Sequence, residues 1–217
     1  MTKIKLAFQG EKGAYSHIAC EEIFKGAEVK NCKTFEETFK IAFDDENYKA
    51  IIPIENSLAG RVADIHYLLS KFKLQIHAEH YQKVEHCLLG RNEAELKDIK
   101  YVRSHAQAIG QCQEIIKQNN FKSIISADTA GSAKDLAKSS DNSIAAIASE
   151  LAGKTYGLKI LKKNIEDEAG NVTRFLVMGK NIIQPEYIKN KKYITTCIFR
   201  LKSEASALYK SLGGFAT

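Results

Sequence analysis

The sequence of 217 residues predicts an α/β protein with two lobes. Short apolar runs with the composition of buried strands alternate with runs that have the apolar spacing of helices, which is typical of open α/β sheets. Two extended segments in a row, at residues 74–81 and 84–89, interrupt this alternation, and a second α/β run begins near Lys100. We therefore expect two α/β lobes, with the second lobe inserted into the first.

The first run supplies three strands and three helices. Strands are predicted at residues 4–8, 29–32 and 50–54, and helices at residues 15–24, 35–43 and 62–69. Thr34 and Glu37 have capping-box spacing for the start of the second helix. Pro53, followed by Glu55 and Asn56, is expected to end the third strand, because proline cannot donate a ladder hydrogen bond.

The second run again alternates strands and helices before the chain returns to the first lobe. Strands are predicted at residues 101–103, 123–127 and 143–147, and helices at residues 105–117, 129–138 and 149–156. The segment 158–164 is expected to lead back to the first lobe. On this prediction the first lobe comprises residues of about 1–79 and 158–180, and the second lobe residues of about 80–157.

A separate tail follows the two lobes. Residues 181–191 are polar, lysine-rich and contain Pro185, so they are predicted to form a linker. A strand is predicted at residues 193–201 and a helix at residues 205–212. Because a single β-α unit cannot cover its own apolar face, we expect this tail to be a fragment of a larger domain or to need a partner subunit. A homo-oligomer, either a dimer or a tetramer, is the corresponding expectation.

Composition excludes several classes of protein. The chain is 44% hydrophobic and 27% charged, and no apolar run reaches the roughly eighteen residues of a membrane span. The N-terminus lacks the apolar region of a signal peptide, and the five cysteines are scattered without a C-x-x-C pair, so we expect reduced thiols in the cytoplasm. The net charge is +6, but the lysines are spread along the chain, which favours a small anionic ligand over nucleic acid.

Polar side chains gather where predicted strands end or begin. These clusters lie at residues 10–16, 55–60, 104–107, 128–132 and 171–175. In open α/β sheets such junctions carry the ligand site, and two lobes would turn them towards a common cleft. The loop 10–16 either holds an anion on free backbone N–H groups or forms only a tight turn with a helix cap. Glu55, Asn56 and Ser57 exceed what a turn requires, which favours a functional role.

Two of these clusters also have a structural explanation for some of their residues. Ser104 and Gln107 have the spacing of a capping box, which leaves His105 without an assigned role. Asp128 is explained as the cap of the following helix. The repetition of such clusters at the same kind of junction is what favours a shared site.

A metal site is not expected. His77, Glu79, His80, Glu85 and His86 are close in the sequence, but positions 77 and 80 of a strand face opposite sides and no third ligand is defined. The chain contains no G-x-G-x-x-G, Walker A or G-x-S-x-G motif, so neither a nucleotide cofactor nor esterase chemistry is expected.

Four stretches together resemble the prephenate dehydratase family. They are Gly10 to Ser16, Pro53-Ile54-Glu55-Asn56-Ser57 with Gly60, Ser104-His105-Ala106-Gln107-Ala108 with Gln111-Cys112, and Asn171-Val172-Thr173-Arg174-Phe175. They occur in the family's order between residues 4 and 179. The resemblance implies a catalytic domain over residues 1–180 with a two-lobed, type II periplasmic-binding-protein-like fold. It also implies a C-terminal ACT domain, since residues 192–217 look like the first β-α unit of one.

The chain departs from the family pattern at three places. Ala106 stands where proline is usual, Asp128 where serine is usual, and Ala205-Ser206 where the ACT domain has proline-glycine. The later ACT motif that contacts phenylalanine is not part of this sequence. L-Phenylalanine is therefore expected as a candidate effector whose site is incomplete here.

The resemblance implies that the chain converts prephenate to phenylpyruvate, CO2 and water in phenylalanine synthesis, without a cofactor. It assigns to Thr173 the donation of a proton or hydrogen bond to the departing hydroxyl group. The expected substrate-binding residues are Ala14, Tyr15, Ser16, Asn56, Ser57, His105, Gln107, Thr129, Asn171, Arg174 and Phe175. Supporting roles are expected for Gly10, Gly13, Glu55 and Gly60.

Several alternatives stay open on the sequence. Arg174 either contacts a carboxylate bidentately or points out of its strand opposite Thr173. Glu55 either faces away from the ligand or is paired. Arogenate, which carries an amine in place of the side-chain keto group, is an alternative substrate. A sensor that binds a small anion without converting it is an alternative function on the same fold.

Overall fold

Two β-sheets, each with helices on both faces, form the larger part of the computed structural model. The structure describes residues 4–183, 186–193, 195–196 and 199–216. It divides into a unit of residues Met1–Ile183 and a second unit of residues Gln184–Thr217. The larger unit contains both lobes.

The elements follow one another along the chain as strands and helices, with one short 3-10 helix at Leu96–Asp98. They are β1 (Lys5–Gln9), α1 (Tyr15–Ile23), β2 (Glu28–Cys32), α2 (Phe35–Asp44), β3 (Tyr48–Asn56), β4 (Gly60–Arg61), α3 (Ala63–Phe72), β5 (Gln75–Lys83), β6 (Cys87–Gly90), β7 (Tyr101–Ser104), α4 (Ala106–Gly110), α5 (Gln113–Gln118), β8 (Lys122–Ile125), α6 (Thr129–Lys138), β9 (Ile144–Ala148), α7 (Glu150–Tyr156), β10 (Lys159–Lys162), β11 (Val172–Gly179) and α8 (Ala207–Gly213).

The first sheet has the strand order β2-β1-β3-β11-β5, with β4 beside β3. Strand β1 is parallel to β2 and β3, whereas β11 runs antiparallel between β3 and β5. On α2, Phe39 and Ala42 recur at helical spacing, so that one stripe of the helix is buried. Ile65 and Leu69 do the same on α3, and both helices pack over Ile52 on one face of the sheet. Helix α1 covers the opposite face.

The second sheet has the strand order β10-β6-β9-β7-β8. Strand β7 is parallel to β8 and β9, whereas β6 is antiparallel to β9 and β10. Ile109 and Ile116 from α4 and α5 pack against Val102 on one face. Leu136 from α6 packs near Leu89 on the other face, together with α7. The predicted two-lobed α/β architecture is confirmed.

The boundaries between the lobes differ from the predicted ones. Residues Lys159–Lys162 pair with β6 in the second sheet, so the chain does not return to the first lobe at residue 158. At the other boundary, β5 stays in the first sheet as far as Lys83. The chain leaves the first sheet after Lys83 and returns at Val172, and these two residues are paired with each other.

Pro53 does not end the third strand. Strand β3 continues through Pro53 to Asn56, and the register against β11 shifts between Arg174 and Phe175, opposite Pro53. A β-bulge is one of the few places where a sheet tolerates a residue without an N–H group. The extension matters for the site because it carries Asn56 into the sheet.

The predicted helix at residues 105–117 is two helices. The carboxylate of Asp167 accepts hydrogen bonds from the N–H groups of Gln113 (2.7 Å) and Glu114 (2.9 Å), and so caps a new helix start at α5. This cap comes from a residue more than fifty positions away, which no local pattern contains.

The smaller unit contains the helix α8, which lies within the predicted helix at residues 205–212. The strand predicted at residues 193–201 includes Ile194, Cys197 and Ile198, which lie outside the described residues. Its other positions, which the structure does describe, are not assigned to a strand. The ACT-like segment therefore stays a prediction. Over the described ranges, no helix is long and apolar enough to cross a membrane.

Candidate active site

A cavity of about 410 Å³ lies between the two lobes. It is lined by many of the residues that the sequence assigned to the site: Gly10, Ala14, Tyr15, Ser16, Asn56, His105, Gln107, Thr129, Asn171, Thr173 and Phe175. Part of its wall is apolar, formed by Phe35, Val62, Val84 and Phe175. The structure thus brings residues from the start and the end of the larger unit into one pocket.

Asn56 has a fixed orientation at the end of β3. Its Oδ1 accepts hydrogen bonds from the backbone N–H groups of Leu58 (3.1 Å) and Ala59 (2.9 Å), which form a turn around the side chain. Its Nδ2 must therefore point the other way. There it donates to Asn171 Oδ1 (2.7 Å) and Thr173 Oγ1 (3.0 Å).

Thr173 is paired with Asn56 across β3 and β11, so the two side chains sit side by side on one rigid sheet. Because Thr173 Oγ1 accepts a hydrogen bond from Asn56, its own O–H group is left to donate. Among the described residues this hydroxyl has no acceptor. Thr173 can therefore donate a hydrogen bond to a molecule bound in the cavity.

The row of hydrogen bonds continues behind Thr173 towards the second lobe. Asn171 Nδ2 donates to Gln111 Oε1 (3.0 Å), and the same oxygen lies 3.1 Å from His86 Nε2. An amide oxygen can only accept, so His86 carries its proton on Nε2. The Tyr15 hydroxyl donates to the carbonyl oxygen of Glu85 (2.8 Å) and lies 2.9 Å from His86 Nδ1, so its single proton faces two acceptors when Nδ1 is unprotonated.

The ionisable groups of this row are neutral. Burial lowers the pKa of His86, against smaller opposing effects from Gln111 and Glu166. Burial is also the largest cause that raises the pKa of Tyr15 well above its ordinary value, so the phenol keeps its proton. The buried imidazole is therefore uncharged and donates from Nε2 to Gln111.

Helix α1 begins at the cavity and leaves backbone N–H groups open. In the loop before α1, Gly13 N–H donates to His17 Nδ1 (3.1 Å) and Ala14 N–H to the carbonyl oxygen of Glu11. The N–H groups of Tyr15 and Ser16 have no acceptor within the described part of the chain. The first N–H groups of a helix can bind an anion there.

Five residues assigned to the site from the sequence do not line the cavity. They are Gly13, Glu55, Ser57, Gly60 and Arg174. Ser57 Oγ instead donates to the carbonyl oxygen of Gly170 (3.0 Å) and accepts from the N–H of Val172 (2.9 Å), so it fastens the turn after β3 to the start of β11. Gly60 has a φ of +78° in that turn.

Gly13 belongs to a contact between the lobes. It has a φ of +89°, and a Cβ atom there would lie 2.5 Å from Ala152 Cα of α7. Its carbonyl oxygen accepts a hydrogen bond from Ser149 Oγ (2.5 Å). The glycine is therefore needed for close approach of the two lobes.

Arg174 points away from the cavity, on the side of the strand opposite Thr173. Its Nε donates to Glu79 Oε2 (2.7 Å) and its Nη1 to Glu55 Oε1 (3.2 Å). The expectation of a substrate contact from Arg174 is thus corrected, because neighbouring residues of a strand face opposite sides. Glu55 is paired with this guanidinium.

The capping box at Ser104 is also corrected. Ser104 is buried, and its Oγ donates to the carbonyl oxygen of Ile147 (2.6 Å) in the neighbouring strand. His105 is the cap of α4, and its Nδ1 accepts from the N–H of Gln107 (3.3 Å).

Other lining residues were not selected from the sequence. They are Gln9, Phe35, Pro53, Val62, Val84, His86, Ala108, Gln111, Ala127 and Asp128. Gln111 lies in a stretch that resembles the family, which could have indicated it. His86 was considered only as a metal ligand, and no local signal marks its contact with Gln111. Within the described ranges, no group of three or more histidine, cysteine or acidic residues could hold a metal ion.

A cavity of this size, enclosed by two lobes and lined by an apolar wall and a few oriented polar groups, defines a protein that binds or converts one small polar molecule. The family described as prephenate dehydratase matches residues 6–182. The chain therefore belongs to the prephenate dehydratase family.

Known relatives agree with this assignment. The chain is 39% identical over 214 residues to a bifunctional N-acyl-homoserine lactone acylase/prephenate dehydratase of Komagataeibacter europaeus, a match that covers 98% of this chain and 75% of the relative. It is 36% identical to arogenate dehydratase/prephenate dehydratase 2 of Arabidopsis thaliana, over 99% of this chain and 56% of the relative. It thus spans about half the length of the plant relative.

A solved structure has the same fold. The prephenate dehydratase from Staphylococcus aureus subsp. aureus Mu50 superposes with a TM-score of 0.77 at 28% identity. The match covers 98% of this chain and 79% of that one.

Proposed function

We propose that this chain catalyses the decarboxylating dehydration of prephenate to phenylpyruvate, CO2 and water. The observation that carries the proposal is the Thr173 hydroxyl, which accepts from Asn56 and is left to donate at the wall of the cavity. Family membership supplies the substrate and the reaction class.

In this reaction the bond between the ring and its carboxylate breaks, and the electron pair enters the ring. The C–O bond to the ring hydroxyl breaks with its electrons on the oxygen, which takes a proton and leaves as water. Hydroxide is a poor leaving group, so a donor aimed at that oxygen lowers the barrier. Thr173 is the proposed donor, because its position is fixed by β11 and its acceptor side is occupied by Asn56.

The two carboxylates of prephenate should be bound with different strength. A carboxylate that leaves as CO2 gains nothing from strong binding, because such binding stabilises the ground state. The apolar wall around Phe35, Val62 and Phe175 suits it. The pyruvyl carboxylate remains in the product, and we place it at the open N–H groups of Tyr15 and Ser16 at the start of α1.

The other predicted ligands that line the cavity complete the proposal. Asn171 orients Asn56 through its Oδ1 and Gln111 through its Nδ2. His105, Gln107 and Thr129 line the wall contributed by the second lobe and are proposed to orient the substrate.

The Thr173→Val variant tests the proposal. Valine has nearly the same shape but no hydroxyl, so we expect kcat for phenylpyruvate formation to fall by about 10²–10⁴-fold, the usual contribution of a positioned proton donor. Binding of prephenate, measured by calorimetry, should change little because the hydroxyl acts on the leaving group.

Thr155→Val, at an exposed position of α7, is the matched control and should keep wild-type kcat. Both proteins are assayed with prephenate and with arogenate, following phenylpyruvate and phenylalanine. Phenylpyruvate formation at the wild-type rate by Thr173→Val would refute the role of Thr173. A wild type that binds but converts neither substrate would refute the enzymatic function and indicate a sensor.

Three further proposals concern the oligomeric state, the effector and the cellular compartment of the protein. We propose a homo-oligomer, supported by the exposed aromatic side chains Tyr209 and Phe215 in the smaller unit, and testable by light scattering. We propose L-phenylalanine as an effector, on the sequence resemblance of residues 192–217 to the start of an ACT domain. We propose a reducing compartment such as the cytoplasm, since the four cysteines that the structure describes are buried free thiols.

A further inference from the structure

The charges at the cavity wall are unusual for a site that receives a dianion. None of the residues that line it is lysine or arginine, and the single carboxylate among them is that of Asp128. The nearest cation along α6, Lys134, is paired with Glu11 at 2.9 Å. A substrate with two negative charges therefore meets neutral donors and one negative charge.

Asp128 has one oxygen engaged and one available. Its Oδ1 accepts a hydrogen bond from the N–H of Gly131 (2.5 Å) and caps α6. Its Oδ2 has no hydrogen-bond partner among the described residues, and the side chain is half-buried. A cap alone needs one oxygen and no charge, because serine and asparagine serve equally well at this position of a helix.

Helix α6 is joined to the loop before α1, and both elements contribute residues to the cavity. The Glu11–Lys134 ion pair joins the loop before α1 to α6, and Tyr15, Ser16 and Asp128 line the same cavity. Open N–H groups and a carboxylate thus line the same pocket. This arrangement is complementary to the carboxylate and ammonium groups of an α-amino acid.

We propose that Asp128 recognises an α-ammonium group and thereby sets the relative rates of prephenate and of arogenate, its aminated form. This inference rests on the proposed function, because it concerns the same cavity and reaction. Arogenate would lose the same CO2 and water as prephenate and yield phenylalanine. Its ammonium group replaces repulsion at Asp128 with attraction.

The test compares kcat/KM for arogenate and prephenate in wild type and in Asp128→Asn, which keeps the helix cap and the side-chain shape but removes the charge. We expect the ratio of the arogenate to the prephenate value to fall by about fivefold, the upper effect of one partly exposed charge pair. Asp135→Asn makes the same charge change on the same helix outside the cavity, and it should leave the ratio unchanged.

Asp128→Ser is the second variant, and it should move the ratio in the same direction. In wild type the ratio should also fall with rising ionic strength, because salt screens the ammonium–carboxylate attraction. This measurement needs no variant, so misfolding of both variants would not remove the test.

The outcomes separate the inference from the function on which it rests. Asp128→Asn with the wild-type ratio, or with equal losses on both substrates, would overturn the role of Asp128 and leave the dehydratase function standing. A wild-type ratio that is constant with salt would also overturn it. A wild type that converts neither substrate would overturn the proposed function itself.

Discussion

His86 lies at the far end of the hydrogen-bonded row that orients Thr173. The row is fixed at its other end, where two backbone N–H groups decide which way Asn56 faces. Each following amide then has one orientation left, and His86 has to donate from Nε2 to Gln111. Its Nδ1 faces the Tyr15 hydroxyl, which donates to the carbonyl oxygen of Glu85. Because burial disfavours the charged form, the neutral imidazole is the form that this site stabilises.

The lowered pKa of His86 predicts that the stability of the protein depends on pH. Burial lowers the folded-state pKa of His86 below its ordinary value of 6.5, so between these two pKa values the unfolded chain binds more protons than the folded one. Stability is therefore lost as the pH falls below about 6.5 and towards the folded-state pKa. We expect His86→Gln to lose about 1 kcal/mol at pH 7.5 through its broken hydrogen bonds, and to depend less on pH than wild type.

Urea unfolding at pH 7.5 and pH 5.5 measures both effects. The pKa values of His17 and His77 are also lowered by burial, so wild type and variant share a remaining slope. His66→Gln, at an exposed position on α3, controls for the loss of a histidine as such. Parallel pH curves for wild type and His86→Gln would contradict the prediction.

For single residues, the sequence predicts which motif residues line the cavity but not the hydrogen bonds that connect them. Asn56, Asn171 and Thr173 stand in stretches whose polar residues exceed local needs, and all three line the cavity. His86 and Gln111 gain their roles only through contacts across tens of residues. Ser57 is polar for the needs of a turn, which a sequence pattern does not distinguish from a ligand.

Strand β11 carries a proposed catalytic residue on one face and a residue that stabilises the sheet on the other. It runs between β3 and β5, with Thr173 towards the cavity and Arg174 on the opposite side. The guanidinium joins Glu55 of β3 to Glu79 of β5 across it. Three neighbouring strands are thereby tied together directly behind Thr173.

The Arg174→Gln variant tests this division. Removing the guanidinium leaves Glu79, which is mostly buried, without its partner, so we expect a loss of about 1–2 kcal/mol in the free energy of unfolding. The value of KM for prephenate should stay within about threefold of wild type, because the side chain does not line the cavity.

Chemical denaturation and steady-state kinetics on the same preparation give the two numbers. Lys163→Gln, which removes a cation from an exposed pair with Glu150, is the control for charge loss and should cost less. A large rise in KM with unchanged stability would return Arg174 to the role of a carboxylate ligand.

Local patterns predict most elements, and the failures have identifiable causes. The helix at residues 129–138 has the predicted bounds because its cap, Asp128, is its direct neighbour. Helices α4 and α5 are separate because Asp167, a distant residue, caps the second one. Strand β3 passes through Pro53 because β3 itself bulges beside it. Glu55 pairs with Arg174 and Pro53 with Phe175, which leaves Ile54 as the extra residue, and this pairing depends on the distant strand β11.

At the scale of the two lobes, contacts at the loop before α1 fix the position of one lobe relative to the other. Gly13 packs directly on Ala152, Ser149 binds its carbonyl oxygen, and Glu11 pairs with Lys134. Since Tyr15 and Ser16 follow this loop at the cavity, the same contacts set the distance between the walls of the pocket.

Gly13→Ala should disturb this arrangement. The added Cβ would lie 2.5 Å from Ala152 Cα, and the backbone of either lobe has to move. We expect kcat/KM to fall by about tenfold or more, because displacements of about 1 Å in a site have effects of this size.

Gly26→Ala is the matched control, since Gly26 has a similar φ of +73° and no atom within 4 Å of the added Cβ. It carries the same backbone strain of roughly 1–2 kcal/mol without the collision. Equal kcat/KM in the two variants would show that the contact with Ala152 does not shape the site.

The number of lobes is predictable from the sequence, whereas their boundaries are not. The alternation of strands and helices and its interruption after residue 74 indicate two sheets. Residues Lys159–Lys162 look like any short strand, and only their hydrogen bonds to β6 assign them to the second lobe.

The pairing of Lys83 with Val172 has a consequence for how the protein can be divided. Both ends of the second lobe meet at one pair of opposite residues in neighbouring antiparallel strands. Replacing residues 84–171 by a two-residue turn would convert β5 and β11 into a simple β-hairpin. The first sheet would keep its order, and Thr173 would remain beside Asn56. Half of the pocket could thus be studied as a single small domain, open to solvent where the other half had been.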